Sequence, residues 1–448
     1  MSNDTRQNYS STSFLQLEEK LLVIQQVDYE SGIYYRSESP LPYLDFKKVG
    51  WDRIIPKEHK AIVIKNQFVS ITILPEMGRI YSMIYQPTGH ETLWRNDIIR
   101  PGGANNELGW WLWIGGIEYT LPKDEHGTSW ALMWDYEILK NTETCKTLRM
   151  QVQEPTSGLY HQIDLSLVAN SSALKSDISI WNPTPETVNF AHWVNPMWAP
   201  GGKNELTDQT EFLIPTKQVL IAERWQKNLG PSPQSWVENP LHYICNWPKM
   251  GDLMADGLDA GFYGVYSHEE EEGVVRVFDP DINPGVDIWT YGFNPDDVPM
   301  GSGKKNKGYA EIWGGTVKHF PDETAPLPAN GTISWSEWIY PFQKTKGLSI
   351  ATENVALHHR SVSHGLEVSL CPSISIISAQ LKFQVDGKTI ISKLFSTSPD
   401  NPYHIIIEWE KISTSSNILM ILLDGEEEIL RIQIQAFTPY FKFLKQDR

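Results

Sequence analysis

Gln67–Pro75 reads QFVSITILP, and the fold class turns on how it is read. Val69, Ile71 and Ile73 alternate with Ser70 and Thr72, a period of two that sends one set inward and the other outward, as in a β-strand. Leu148–Gln153 (LRMQVQ) repeats the pattern: Leu148, Met150 and Val152 alternate with Arg149, Gln151 and Gln153. Gly and Pro punctuate such runs along the chain, and long helical periodicity with caps is missing. The best short helical candidate is LQLEEKLL near the start. The expected class is all-β.

With 448 residues, 40% of them hydrophobic, the chain has material for more than one core. Composition shifts near residue 350. The Trp-dense part ends at SWSEWIYPFQKTKG (334–347), and short aliphatic strands follow, with hairpin signals at Asp386-Gly387 and Asp424-Gly425. The expected organisation is a flexible tail over 1–15, a large β domain over 16–350 and a small Ig-like β-sandwich over 355–448. The acidic run Glu269–Glu272 reads as a solvated loop.

A formal charge of −17 disfavours sequence-independent nucleic-acid binding and attraction to anionic lipid. Cys145, Cys245 and Cys371 are odd in number and far apart, so neither a disulfide framework nor a metal spacing is expected. The polar N-terminus lacks the apolar core of a secretory signal, and no apolar run reaches membrane-span length, so a cytoplasmic location is the default expectation.

Eighteen Trp either fill sheet cores or stack on the C–H faces of sugars. Four segments concentrate them beside polar groups. The first, residues 100–134, carries Arg100, Trp110, Trp111, Trp113 and His126-Gly127. The second, FAHWVNPMWAP (190–200), carries His192, Asn195 and Trp198. The third, NPGVDIWTYG (283–292), carries Asp287, Trp289 and Tyr291. In the fourth, GYAEIWGG (308–315), Glu311 interrupts an apolar strand. Taken singly, each has a bland reading: a hydrogen-bonded core histidine, a loop histidine, a solvent-facing glutamate. Taken together they form an acid/base set with aromatic walls, as a carbohydrate site requires.

The order of these segments resembles the aldose 1-epimerase (galactose mutarotase-like) superfamily, in particular a bacterial branch, over roughly residues 60–343. LPEMGRI (74–80) resembles its early proline–glycine–arginine element. EHGTSWALMW (125–134) resembles the His-Gly element, FAHWVNPMW (190–198) the Asn-His-x-Tyr-Phe-Asn-Leu element, and YAEIWGG with LPANGTISWSEWIYPF the glutamate-bearing element and closing strand. The resemblance implies a β-supersandwich with His126, His192 and Glu311 catalytic. Glu311 would be the base on the anomeric hydroxyl and His192 the proton donor to the ring oxygen. Arg100, Trp110, Trp111, Trp113, Asn195, Trp198 and Trp289 are the expected substrate-binding residues. The sequence departs from the family after His192 (Trp-Val-Asn-Pro) and after Glu311 (Ile-Trp-Gly-Gly).

The resemblance requires no metal or organic cofactor, and the expected partner is a small carbohydrate or related ligand. Two alternatives stay open. One is glycoside cleavage, or isomerisation of a non-sugar metabolite, with Glu118, Asp124 or Glu125 as second carboxylate. The other is a non-catalytic carbohydrate-binding protein. The C-terminal domain has three open roles: covering a sheet edge, forming a homodimer, or bordering the cleft.

Overall fold

Leu15–Asp28 and Gly50–Asn66 pair antiparallel along nearly their whole length, Leu15 opposite Asn66 and Val27 opposite Ile54. This ladder corrects the helical expectation for LQLEEKLL. Helix propensities of Leu, Glu and Lys are a weak bias, and fourteen paired positions override them. The computed structural model describes residues 14–293, 308–321, 323–408 and 417–435. The expected tail lies almost wholly outside them, and Leu15 already begins a strand.

Two sheets dominate. One has fourteen strands and the other eight. The larger runs from Gln234–Ser235 through Gly251–Ala255, Gly285–Thr290, Ala310–Gly315, Trp193–Pro196 and Ile117–Thr120, and continues to Trp110–Gly115. Its inner face supplies Ile71, Ile73 and Met83 to a core completed by Leu148, Met150, Ile163 and Leu165 of the smaller sheet. QFVSITILP and LRMQVQ therefore alternate as expected, apolar residues in, polar residues out. This is a large all-β sandwich.

Beyond residue 350, two further four-stranded sheets enclose a core of their own, including Leu357, Val368, Leu381, Phe383 and Met420. Asp386-Gly387 forms the tight turn between Ile376–Val385 and Lys388–Thr397, both residues at positive φ. A further apolar cluster, with Phe262, Tyr340, Phe342, Ala356 and Cys371, ties these strands to the smaller of the two main sheets. Of the acidic run, Glu269 and Glu270 lie in a turn and pair with Lys203, whereas Glu272 is strand, buried, and 3.0 Å from His90 Nδ1. The solvated-loop reading holds for the turn and fails for Glu272.

Among the described residues the one α-helix is Glu223–Leu229. It is short, and Ala222 at its N-cap supplies no side-chain bond, so the sequence gives no start signal.

The sandwich interior also holds a fully buried ion pair, Arg276 with Glu337, and Arg276 Nη1 donates to Tyr263 OH at 3.3 Å. Removing one partner leaves a desolvated, unpaired charge. Glu337→Gln is expected to lower unfolding free energy by about 3–5 kcal/mol in urea titrations.

Candidate functional site

Register places the polar residues. Asp252 lies opposite Trp289, and Trp289 opposite Glu311. Glu118 lies opposite Asn195 on one side and Arg79 on the other. Directly opposed residues share a face. The larger sheet thus carries a transverse row of acids, amide and guanidinium on the face turned away from the sandwich core. Asp287, two residues before Trp289 and opposite Trp313, joins the same face.

Above this row lies a cavity of about 280 Å³. Its walls are aromatic: Trp111, Trp225, Trp289, Trp313, Tyr291 and Phe320. Its polar lining includes Glu125, His126, Arg224, Asp252, Asp287 and Glu311.

His126 enters on a loop with left-handed backbone at Asp124, His126 and Gly127. Gly127 is forced: a Cβ there would stand 2.4 Å from the Leu121 carbonyl oxygen, and the amides of Thr128 and Ser129 already donate to that oxygen. His126 itself pays for φ of +61° in strain, a cost typical of functional positions. Its ring stacks on Trp111, centroids 3.8 Å apart and 8° from parallel. Nδ1 lies 3.2 Å from Glu118 Oε2, so Nε2 is the nitrogen left for a ligand. Burial alone would lower the His126 pKa; the Glu118 carboxylate, aided by Glu311 and Glu125, outweighs it and raises the pKa above the ordinary histidine value. Burial likewise pushes Glu118 up, but the charges of Arg79 and His126 win and hold it below the usual range.

Glu311 is buried. It accepts from Tyr309 OH at 2.6 Å and from Asn195 Nδ2 at 2.9 Å. Burial raises its pKa, against the lowering influence of His126 and these two donors. Trp313, two residues on, shares its face, and the glycines after Trp313 serve packing: a Cβ on Gly315 would stand 2.3 Å from the Trp193 ring.

The arrangement brings His126, Glu311, Trp111 and Trp289 to one cavity, with Asn195 holding Glu311 from the side. Other expected site residues lie elsewhere. His192 is completely buried between the sheets, its Nε2 3.1 Å from His161 Nε2 and its ring edge-on to Trp335. The reason is parity: Trp193 and Asn195 face the cavity side, so His192 and Val194 face the core. Trp110 donates Nε1 to Pro42 O and packs on Trp130; Trp113 stacks on Trp94; Trp198 packs against Tyr263. These three are interior residues. Arg100, opposite Trp113, does not line the cavity; the arginine that does is Arg224. Asp252, Arg224, Trp225 and Trp313 were not singled out by the sequence reading. Trp313 lay inside a quoted segment, but the other three left no local signal.

The profile of a family described as a domain of unknown function (DUF5107) matches residues 37–329. Among solved structures, the chain is similar to a TPR-domain containing protein from Parabacteroides distasonis. The identity is 18% and the TM-score 0.60, over 76% of this chain and 58% of that one. The chain therefore spans less than two thirds of that protein's length. It is also similar to a galactose mutarotase related enzyme from Lactobacillus acidophilus (14% identity, TM-score 0.44, 65% of this chain and 100% of that one). A third similarity is to a galactose mutarotase-like protein from Clostridium acetobutylicum (13%, 0.45, 66% and 97%).

The two core imidazoles carry a prediction. Burial pushes His161 down to about 3 and His192 well below the histidine range, so both are neutral in the fold. In the unfolded chain each takes a proton below about pH 6.5. The unfolded state then binds more protons, so stability is full above that pH and falls as pH drops, by up to about 1.4 kcal/mol per unit for each imidazole. Glu311 and Asp287, raised in the fold, act in the opposite sense. The comparison must therefore be differential: His161→Leu with His192→Leu should lessen the loss of melting temperature between pH 7 and pH 5. By its match over well over half of its length, the chain belongs to the DUF5107 family.

Proposed function

We propose that this protein is a carbohydrate-active isomerase of the aldose 1-epimerase type, working on one sugar ring by proton transfer between Glu311 and His126. One observation carries the reading: an imidazole and a carboxylate, both with raised pKa, line the same aromatic-walled cavity. Its volume sits at the small end for ligand sites, which suits a single ring better than a chain. Aromatic walls fit the C–H faces of a sugar, and the motif resemblance of the EHG and YAEIWGG segments implies that both residues are catalytic, with Glu311 as the base.

Glu311 takes the proton of the anomeric hydroxyl. The O–H electrons become the carbonyl π bond, and the bond from the anomeric carbon to the ring oxygen breaks. Its electron pair stays on the ring oxygen, which takes the Nε2 proton of His126. The open aldehyde rotates and recloses by the reverse transfers. Glu118 keeps His126 protonated and oriented; Tyr309 and Asn195 fix Glu311. The proton-donor role that the resemblance gave to His192 passes to His126, because His192 does not line the cavity.

Glycoside cleavage is a second reading, favoured by Asp287, an additional buried carboxyl in the cavity. Release of reducing ends from an oligosaccharide would select it.

Aldose and sugar-phosphate panels followed by polarimetry or exchange NMR test the first reading. Glu311→Gln is expected to cut kcat about 10²–10⁴-fold. Absence of turnover on every aldose overturns it. The rate should rise with pH through a pKa above the ordinary glutamate value and fall through one above the ordinary histidine value. In Glu118→Gln, burial of His126 loses its main counterweight and is opposed only by Glu311 and Glu125, so the falling limb should move to lower pH while the rising limb moves less.

A further inference from the structure

We infer that the cavity is built for a ligand bearing an ammonium group beside its hydroxyls, an amino sugar, whose nitrogen is received by Asp252 and Asp287. The inference rests on the carbohydrate reading and names its substrate class.

The carboxyls come from neighbouring strands. Asp252 lies opposite Trp289 and Asp287 opposite Met254, which makes the two acids a diagonal pair on one face of the sheet, both lining the cavity. Asp252 is half satisfied: Oδ2 accepts from Trp225 Nε1 at 2.8 Å and Arg224 Nη2 at 3.2 Å, and Oδ1 is buried without a partner. Asp287 is 1% exposed, and its Oδ1 too is buried without a partner among the described residues. Buried polar atoms are normally bonded, and an orphan calls for an explanation. Here both orphans belong to residues that line one cavity. A positively charged donor answers both: it favours the ionised, acceptor-only form of Asp287 and bonds to Asp252 Oδ1.

Charge narrows the donor. Glu125, Asp252, Asp287 and Glu311 line the cavity against Arg224 and His126, and Arg224 is already committed to Asp252. A phosphate or carboxylate on the ligand would enter against acids. A hydroxyl would satisfy one oxygen but bring no charge to offset the burial and, after it, the Asp252 charge that hold Asp287 well above the usual carboxylate range. An ammonium supplies three donors and a positive charge, and charge-assisted bonds are roughly twice as strong as neutral ones.

The experiment is calorimetric titration of the full chain. The probes are 2-amino-2-deoxy and 6-amino-6-deoxy sugars of the gluco and galacto series, their parent hexoses, and the 6-phosphates. At least one amine should bind tenfold or more tighter than its parent, and the phosphates should bind weakest. Asp287→Asn and Asp252→Asn should each bring that amine to within twofold of its parent. The comparison among ligands on the unsubstituted protein stands even where a variant fails to fold. Parents binding as tightly as every amine, phosphates binding tightest, or an amine preference that survives both substitutions overturns the inference. Its failure is separable from failure of the isomerase reading. Parent hexoses turned over in a Glu311-dependent way without amine preference sink only the inference. Tight amine binding without turnover of any sugar sinks only the isomerase reading.

Discussion

Placing carboxylates on a covered sheet face is the constraint around which the rest of the site is arranged. A charge removed from water must find partners or give up its charge. The row across the larger sheet contains both outcomes. Glu118 is answered by Arg79 on one side and His126 on the other, so it stays ionised. Glu311 receives two neutral donors and stands near His126, which moderates but does not cancel the effect of burial. Asp287 has no hydrogen-bonding donor on its Oδ1 among the described residues, and the charge of Arg224 does not offset burial and the neighbouring Asp252, so it shifts furthest toward its neutral form. One sheet face thus holds three acids in three electrostatic states, set by which strand neighbour each one meets.

The aromatic residues follow from this. A cavity floor of acids would fill with water and lose its shifted pKa values unless its walls were apolar and rigid. Trp111 lies flat on His126, and Trp313 packs at 5.0 Å from the same ring. The imidazole is pinned from two sides while Glu118 fixes its tautomer-bearing nitrogen. The left-handed backbone at His126 becomes intelligible here: an extended loop would not deliver the ring between two indoles and a carboxylate at once.

How far the sequence could be read depends on the range of the interaction. Period-two alternation in QFVSITILP and LRMQVQ is local, and both stretches lie in the sheets as expected. Glu311 stood out because an acid in GYAEIWGG breaks an apolar strand, and His126 because Gly127 beside it marks special backbone. His192 looked equally good, yet one residue of strand parity sent it to the core, where it pairs with His161. Arg224, Trp225 and Asp252 were illegible because their place is set by the pairing of Gly251–Ala255 with Gly285–Thr290 and by a seven-residue helix without a cap. The LQLEEKLL strand failed for the same reason: its partner lies some forty residues downstream, at Gly50–Asn66.

The cavity divides into two halves with different chemistry, and the division follows the strands. On the side of Ile117–Thr120 and Trp193–Pro196, Glu118 Oε2 holds His126 and Asn195 Nδ2 holds Glu311, while Glu118 Oε1 and Asn195 Oδ1 are buried without a partner among the described residues. Neither residue lines the cavity, so in the proposed mechanism that half positions the two proton-transfer groups and does not meet the ligand itself. On the side of Gly251–Ala255 and Gly285–Thr290, Asp252 Oδ1 and Asp287 Oδ1 are buried without a partner among the described residues, and Arg224 and Trp225 from the short helix bond to Asp252 Oδ2. In the proposed reading that half receives the substituent of the ligand. A ligand that satisfies the acceptors would tighten the floor on which Glu311 stands, since Trp289 lies directly between Asp252 and Glu311 in the sheet. Recognition and chemistry are then coupled through a single strand, Gly285–Thr290, whose register cannot slip by one residue without turning every one of these side chains to the opposite face.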